Sequence, residues 1–158
     1  MPEPTVTNPT FLALLSAHSA MMGLFEEHQQ ALLERDFGRA LERLLELRRQ
    51  FEDHVQGEEE LFAKLFSEVD SVRGTPLDLF TGEHKHLREL LGEFENATRR
   101  LDAGTAGRHL IELIEEEALF KSFFRHHDER ERNLLYPAFD KGTSDETRRD
   151  LLRRFHAH

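Results

Sequence analysis

Two pairs of residues have the spacing of a metal-binding helix. His54 precedes Glu58 by four positions, and His127 precedes Glu131 by four. On a helix, residues four apart share one side, so each pair can reach a common point. Imidazole and carboxylate together ligate iron, manganese or zinc. Alone in an apolar core a carboxylate is very costly, and a metal offsets that cost. The chain has no cysteine. Disulfides, thiolate-held clusters, Cys-ligated zinc and thiol nucleophiles are therefore excluded.

Ten histidines are present, and the helical phase separates inward from outward ones. At 100° per residue, Phe11, Leu14, Met22 and Phe25 fall within about 40° of His18. Leu47, Phe51, Leu61 and Leu65 share the face of His54, with Glu58 about 40° away, Glu59 at the rim and Glu60 pointing out. Phe80, Leu87, Leu91 and Phe94 form a stripe that takes in His84. Leu113, Phe120, Phe123, Phe124 and Leu134 surround His127, with Glu131 on the same face. His28 and His126 lie near the core margin as spare donors or rim residues. His86, His109, His156 and His158 fall on the surface. Glu116 and Glu117 read as end-of-bundle or exposed groups. Tyr136 is the only tyrosine; it lies about 180° from His127 in an unbroken helix, which makes it a poor proton or electron relay. Glu83 with His86 has the Glu-x-x-His form of ferritin-type sites but no partner on a second helix.

These residues need four long helices. Leu, Glu, Arg and Ala dominate, and strand-type alternation is missing. The first helix is predicted from an Asn8-Pro9 cap to about Arg35. The second runs from an Asp36 cap to about Val69, the third from about Leu77 to Leu101, and the fourth from about Gly107 to Phe139. Ser71 to Pro76 and Asp102 to Gly107 punctuate them. A short helix follows Lys141-Gly142, capped by Thr143 or Ser144. Its Arg148, Arg149, Arg153 and Arg154 read as a solvated face. Short links between long helices predict an all-α, antiparallel up-down-up-down four-helix bundle over residues 8–140, with residues 141–158 as a C-terminal helix or tail. The pattern also repeats: His18 aligns with His84, and His54-Glu58 aligns with His127-Glu131.

The chain has 158 residues, 31 acidic against 21 basic, for a net charge of -10. One domain is expected. The acidic balance argues against nucleic-acid and anionic-membrane partners, both of which need a basic face. Phe11 to Ala17 lacks the positive segment of a signal peptide, and no apolar run reaches the ~20 residues of a membrane span. The expected location is cytoplasmic.

The stretches His54-Val-Gln-Gly-Glu58-Glu59, Glu83-His84, and His127-Asp-Glu-Arg-Glu131 leading into Asn133-Leu-Leu-Tyr-Pro137 resemble the hemerythrin-like, or HHE cation-binding, family. The Arg35 to Ala40 turn resembles that family's link between its first two helices. The resemblance covers about Phe11 to Lys141. It implies a four-helix bundle holding a non-haem di-iron centre with a bridging oxo or hydroxo group. By position it implies His18, His54, His84 and His127 as terminal ligands, and Glu58 and Glu131 as bridging carboxylates. Zinc and manganese suit the same donors. Oxygen-carrying hemerythrins have a second His in the third helix, four residues after the first, where this chain has Arg88, and pair His with Asp at i+5 in the fourth. The departures favour the bacterial-type branch, linked to iron handling, gas or redox sensing and repair of iron centres.

Three functions stay open. One is binding or sensing of dioxygen, nitric oxide or peroxide, or iron handling. The second is a di-iron enzyme for peroxide reduction, ferroxidation or repair of iron centres. The third is a metal-free helical partner protein, whose six inward polar groups would bond to one another.

Overall fold

The computed structural model describes residues 8–65, 71–72, 75–104 and 106–156. Its long helices are α1 (Ser16–Leu33), α2 (Phe37–Leu65), α3 (Asp78–Arg100) and α4 (Ala106–Arg130), followed by α5 (Tyr136–Lys141) and α6 (Asp145–His156). They form the expected all-α, antiparallel bundle. None is long and apolar enough to cross a membrane. The region before α3 includes a two-stranded antiparallel pairing, β1 (Ser71–Val72) with β2 (Thr75–Pro76). The predicted end of the second helix near Val69 lies outside the described residues.

The helix boundaries follow local chemistry. α1 is preceded by a tight 3₁₀ turn, Phe11–Leu15, and Thr10 rather than Asn8 caps it, its hydroxyl accepting from the Leu12 amide. Asp140 anchors that cap, accepting from the Thr10 hydroxyl at 2.5 Å and the Phe11 amide at 2.9 Å. α1 ends in a Schellman-type turn. Arg35 takes φ 58°. The amide of Asp36 reaches the Ala31 carbonyl, and that of Arg35 reaches Leu32. The Asp36 carboxylate then caps α2 by accepting from the Arg39 amide at 3.1 Å.

The predicted fourth helix is not continuous. Glu131–Leu135 is a π-helical turn between α4 and α5. The amide of Tyr136 reaches back five residues to Glu131. A wider turn retards the helical phase, so residues beyond it face differently from the α-helical expectation.

Two apolar clusters fill the bundle. One contains Met21, Phe25, Leu47, Phe51, Val55, Leu87, Leu91, Phe120 and Phe124. The other contains Phe11, Leu14, Leu61, Phe62, Phe80, Leu135, Tyr136 and Phe139. α2 and α3 cross from one cluster to the other at His54 and His84, while the second-cluster residues nearest His18 and His127 lie in the 3₁₀ turn before α1 and in the π turn and α5 after α4.

α6 is fastened to this frame. Ser144 caps it, accepting from the Thr147 amide at 3.2 Å. Arg148 is not the solvated residue expected. It donates to the carbonyls of Pro9, Asp140 and Thr143 and pairs with Asp145. Arg153 and Arg154 pair with Asp150. Leu151 is buried in the second cluster. Phe155 lies over Gly57, where an added Cβ would come within 2.6 Å of its ring. Gly57→Ala should therefore destabilise the fold by about 1–3 kcal/mol through overpacking. Gly23→Ala, at an exposed α1 position with nothing within 4 Å of the added methyl, should stabilise it by about 0.5–1 kcal/mol. Denaturant unfolding of both variants checks the pair.

Candidate metal centre

The polar layer between the two clusters contains all six sequence-predicted residues. His18 comes from α1, His54 and Glu58 from α2, His84 from α3, His127 from α4, and Glu131 from the start of the π turn. All are buried, and Glu58 and Glu131 are completely so. Donor atoms of His18, Glu58, His127 and Glu131 lie within 4.8 Å of one another.

The donors fall into two groups. The Nε2 atoms of His18 and His127 lie 3.2 and 3.1 Å from Glu131 Oε1. The Nε2 atoms of His54 and His84 lie 2.9 and 3.5 Å from Glu58 Oε1. These are close approaches without directed hydrogen bonds. Glu58 Oε1, both Glu131 oxygens and the Nε2 atoms of His54 and His84 are buried and have no hydrogen-bond partner. Nearly all buried polar atoms in folded proteins are paired, so such a concentration needs a cause. Lone pairs converging on shared points between nitrogen and oxygen suit divalent transition metals. A metal-free partner protein would instead have these groups satisfy one another.

Outer carboxylates orient three of the rings. His18 Nδ1 donates to Asp128 at 2.8 Å, His127 Nδ1 to Glu83 at 3.0 Å, and His84 Nδ1 approaches Glu59 at 3.4 Å. An ionised carboxylate only accepts, so each such contact places the proton on Nδ1 and turns Nε2 inward. Arg130 in turn clamps Glu83 with two hydrogen bonds, at 2.6 and 2.8 Å. Aromatic rings close the layer. Phe62 stacks on His84, Phe124 meets His18 edge-on, and Phe155 covers His54.

The sequence reading missed Asp128 and passed over Glu83 as a partnerless ferritin-like fragment. Asp128 follows His127 directly and is only half-buried. Its partner is on another helix, which no spacing within α4 reveals. Tyr136 is a plain correction. It is fully buried, and its hydroxyl donates to Glu58 Oε2. The π turn supplies the missing rotation.

His28 and Glu117 need correcting too. Both are completely buried, yet neither belongs to the centre. His28 donates through Nδ1 to the Ala40 carbonyl at 2.7 Å, and its Nε2 meets Glu117 at 2.7 Å. His126, His86 and His109 are exposed.

The buried carboxylates favour the protonated form of the imidazoles beside them. Burial opposes charge on His18, but Asp128 and Glu131 outweigh it and hold its pKa up at about 9. Burial likewise opposes charge on His127, and Glu131 and Glu83 raise it to about 10. Asp128 is held at about 2, chiefly by its bond to His18. Burial works against ionised Glu83, but His127 and Arg130 hold it at about 2. Burial also opposes ionised Glu58, yet the surrounding imidazoles keep it well below the ordinary carboxylate range.

Histidines with a folded pKa raised above 6.5 stabilise the fold fully below that pH, and the benefit is lost as pH rises through about 9 and 10. Chelated protein should therefore melt at falling temperature across that window, with a much flatter profile once metal is bound, as followed by circular dichroism. Separately, Glu83→Gln should weaken metal binding by about 10–100-fold, read by competition with a chromophoric chelator.

The chain matches the Hemerythrin HHE cation binding domain over residues 11–139, with an overlapping second match over residues 75–158. The second match begins just ahead of the second helix pair, in keeping with the internal repeat. No curated protein and no solved structure matches the chain. The first match spans four long helices and every donor of the buried layer, and the chain accordingly belongs to the hemerythrin HHE cation-binding family, a metal-binding helical domain.

Proposed function

We propose that this chain holds two iron ions and binds or senses dioxygen, nitric oxide or peroxide in a cytoplasmic setting. His18 and His127, grouped around Glu131, would hold one ion, and His54 and His84, grouped around Glu58, would hold the other. The observation that carries this reading is the set of buried, unpartnered oxygen and nitrogen atoms of His54, Glu58, His84 and Glu131. Iron bound there supplies open coordination positions and a reversible change of oxidation state.

The protein's own part is positional. Asp128, Glu83 and Glu59 keep the Nδ1 proton in place on three rings. Phe62, Phe124 and Phe155 exclude water from the rings they touch. Tyr136 donates to Glu58 Oε2 and so holds the carboxylate with Oε1 free.

The same tyrosine favours an enzymatic second reading, in peroxide reduction, ferroxidation or repair of iron centres. A phenol hydroxyl within hydrogen-bond reach of Glu58 is a proton donor at the centre. Burial and the carboxylates of Glu131 and Glu58 raise its pKa well above normal, so it keeps that proton.

Elemental analysis of anaerobically purified protein should find about two irons per chain, falling to one or none in His54→Ala and Glu131→Ala. Less than one metal per chain, without uptake of added ferrous iron, would overturn the proposal. Peroxide consumption by the loaded protein that drops at least tenfold in Tyr136→Phe would establish the enzymatic reading. Reversible gas binding without peroxide turnover would establish the binding one.

A further inference from the structure

The cleft between α1 and α4 is a second candidate site, next to the metal layer but outside it. A pocket of about 240 Å³ opens there beside His18. Met22 and Phe124 give it apolar walls, and Lys121, Arg125 and Arg132 bring three cations to it. In a chain with ten more acidic than basic residues, a local excess of positive charge is unexpected.

The acid nearby does not cancel it. Asp128 is the one carboxylate in the pocket lining. It is already engaged by the His18 ring at 2.8 Å and by Arg132 at 3.1 and 3.2 Å. Among the described residues, neither Lys121 nor Arg125 has an acidic partner within ion-pair distance. The Lys121 ammonium instead lies 5.9 Å from the centroid of the Phe25 ring. Two cations without counter-charge, above two apolar walls, match an anion that carries an apolar body. At about 30 Å³ per water, the pocket has the space of roughly eight waters. That admits one small ring with one carboxylate.

We propose that the α1–α4 cleft binds a small organic monocarboxylate, its carboxylate between Lys121 and Arg125 and its body between Met22 and Phe124. The occupant would lie beside the His18–Asp128 pair. Binding itself does not require the metals.

Benzoate is the probe, with benzamide as its uncharged counterpart and nitrate as an anion without an apolar body. Amide NMR of the full chain, iron-loaded and after chelation, follows each titration. Benzoate should give saturable shifts at Ser19, Met22 and Arg125 in the chelated protein. Its affinity should fall at least tenfold in Lys121→Gln/Arg125→Gln, whose fold is checked by circular dichroism. Equal binding of benzamide or of nitrate would overturn the proposal, as would an unchanged affinity in the double variant. Benzoate binding seen only in iron-loaded protein would place the carboxylate on the metal, removing the cleft proposal while leaving the metal reading intact. Cleft binding in a protein that takes up no iron would do the reverse.

Discussion

Two carboxylates and four imidazoles occupy one buried layer, and the rest of the molecule is arranged to keep them there. Transfer of an unpaired carboxylate from water to an apolar interior is among the largest penalties in folding. Here that layer is sandwiched between two apolar clusters, so no helix can slide without moving a charged group into hydrocarbon. The register of the bundle is thus fixed by a polar constraint as much as by packing. Outer carboxylates extend the constraint to the surface, where Arg130 and Arg132 complete the charge pairing.

The same residue types have two different fates in this bundle. At His28, both ring nitrogens find oxygen partners, and Glu117 also accepts from Gln29 at 3.3 Å. That pair is complete as it stands and ties the α1–α2 turn to α4. In the central layer the outward nitrogens of three rings are partnered, while inward atoms converge without bonding. The contrast separates a structural histidine from a ligand more sharply than burial does, since both kinds are buried.

Local departures from regular geometry carry much of the site. The π turn at Glu131–Leu135 brings Tyr136 round to Glu58. Gly57, one residue before Glu58, leaves room for the Phe155 ring that covers His54. Arg148 fastens the helix that delivers that ring. Each feature is individually small, and together they close the centre on sides that the four long helices leave open.

A period of 3.6 residues and the cost of burying charge were enough to place the four long helices, the inward histidine of each and the two His-x-x-x-Glu pairs that the buried layer contains. The i,i+4 pairs were legible because a helix fixes their geometry before any tertiary contact forms. Features that depend on neighbours from elsewhere in the chain were not legible within any single helix. The carboxylates hydrogen-bonded to His18 and His28 lie 110 and 89 residues away, and that of Tyr136 lies 78 away, so periodicity within one helix says nothing about them. The π turn likewise escapes a constant-angle reading, since one widened turn reassigns every face beyond it. Arg148 shows the same limit, because its carbonyl acceptors come together only when α6 folds back onto the bundle.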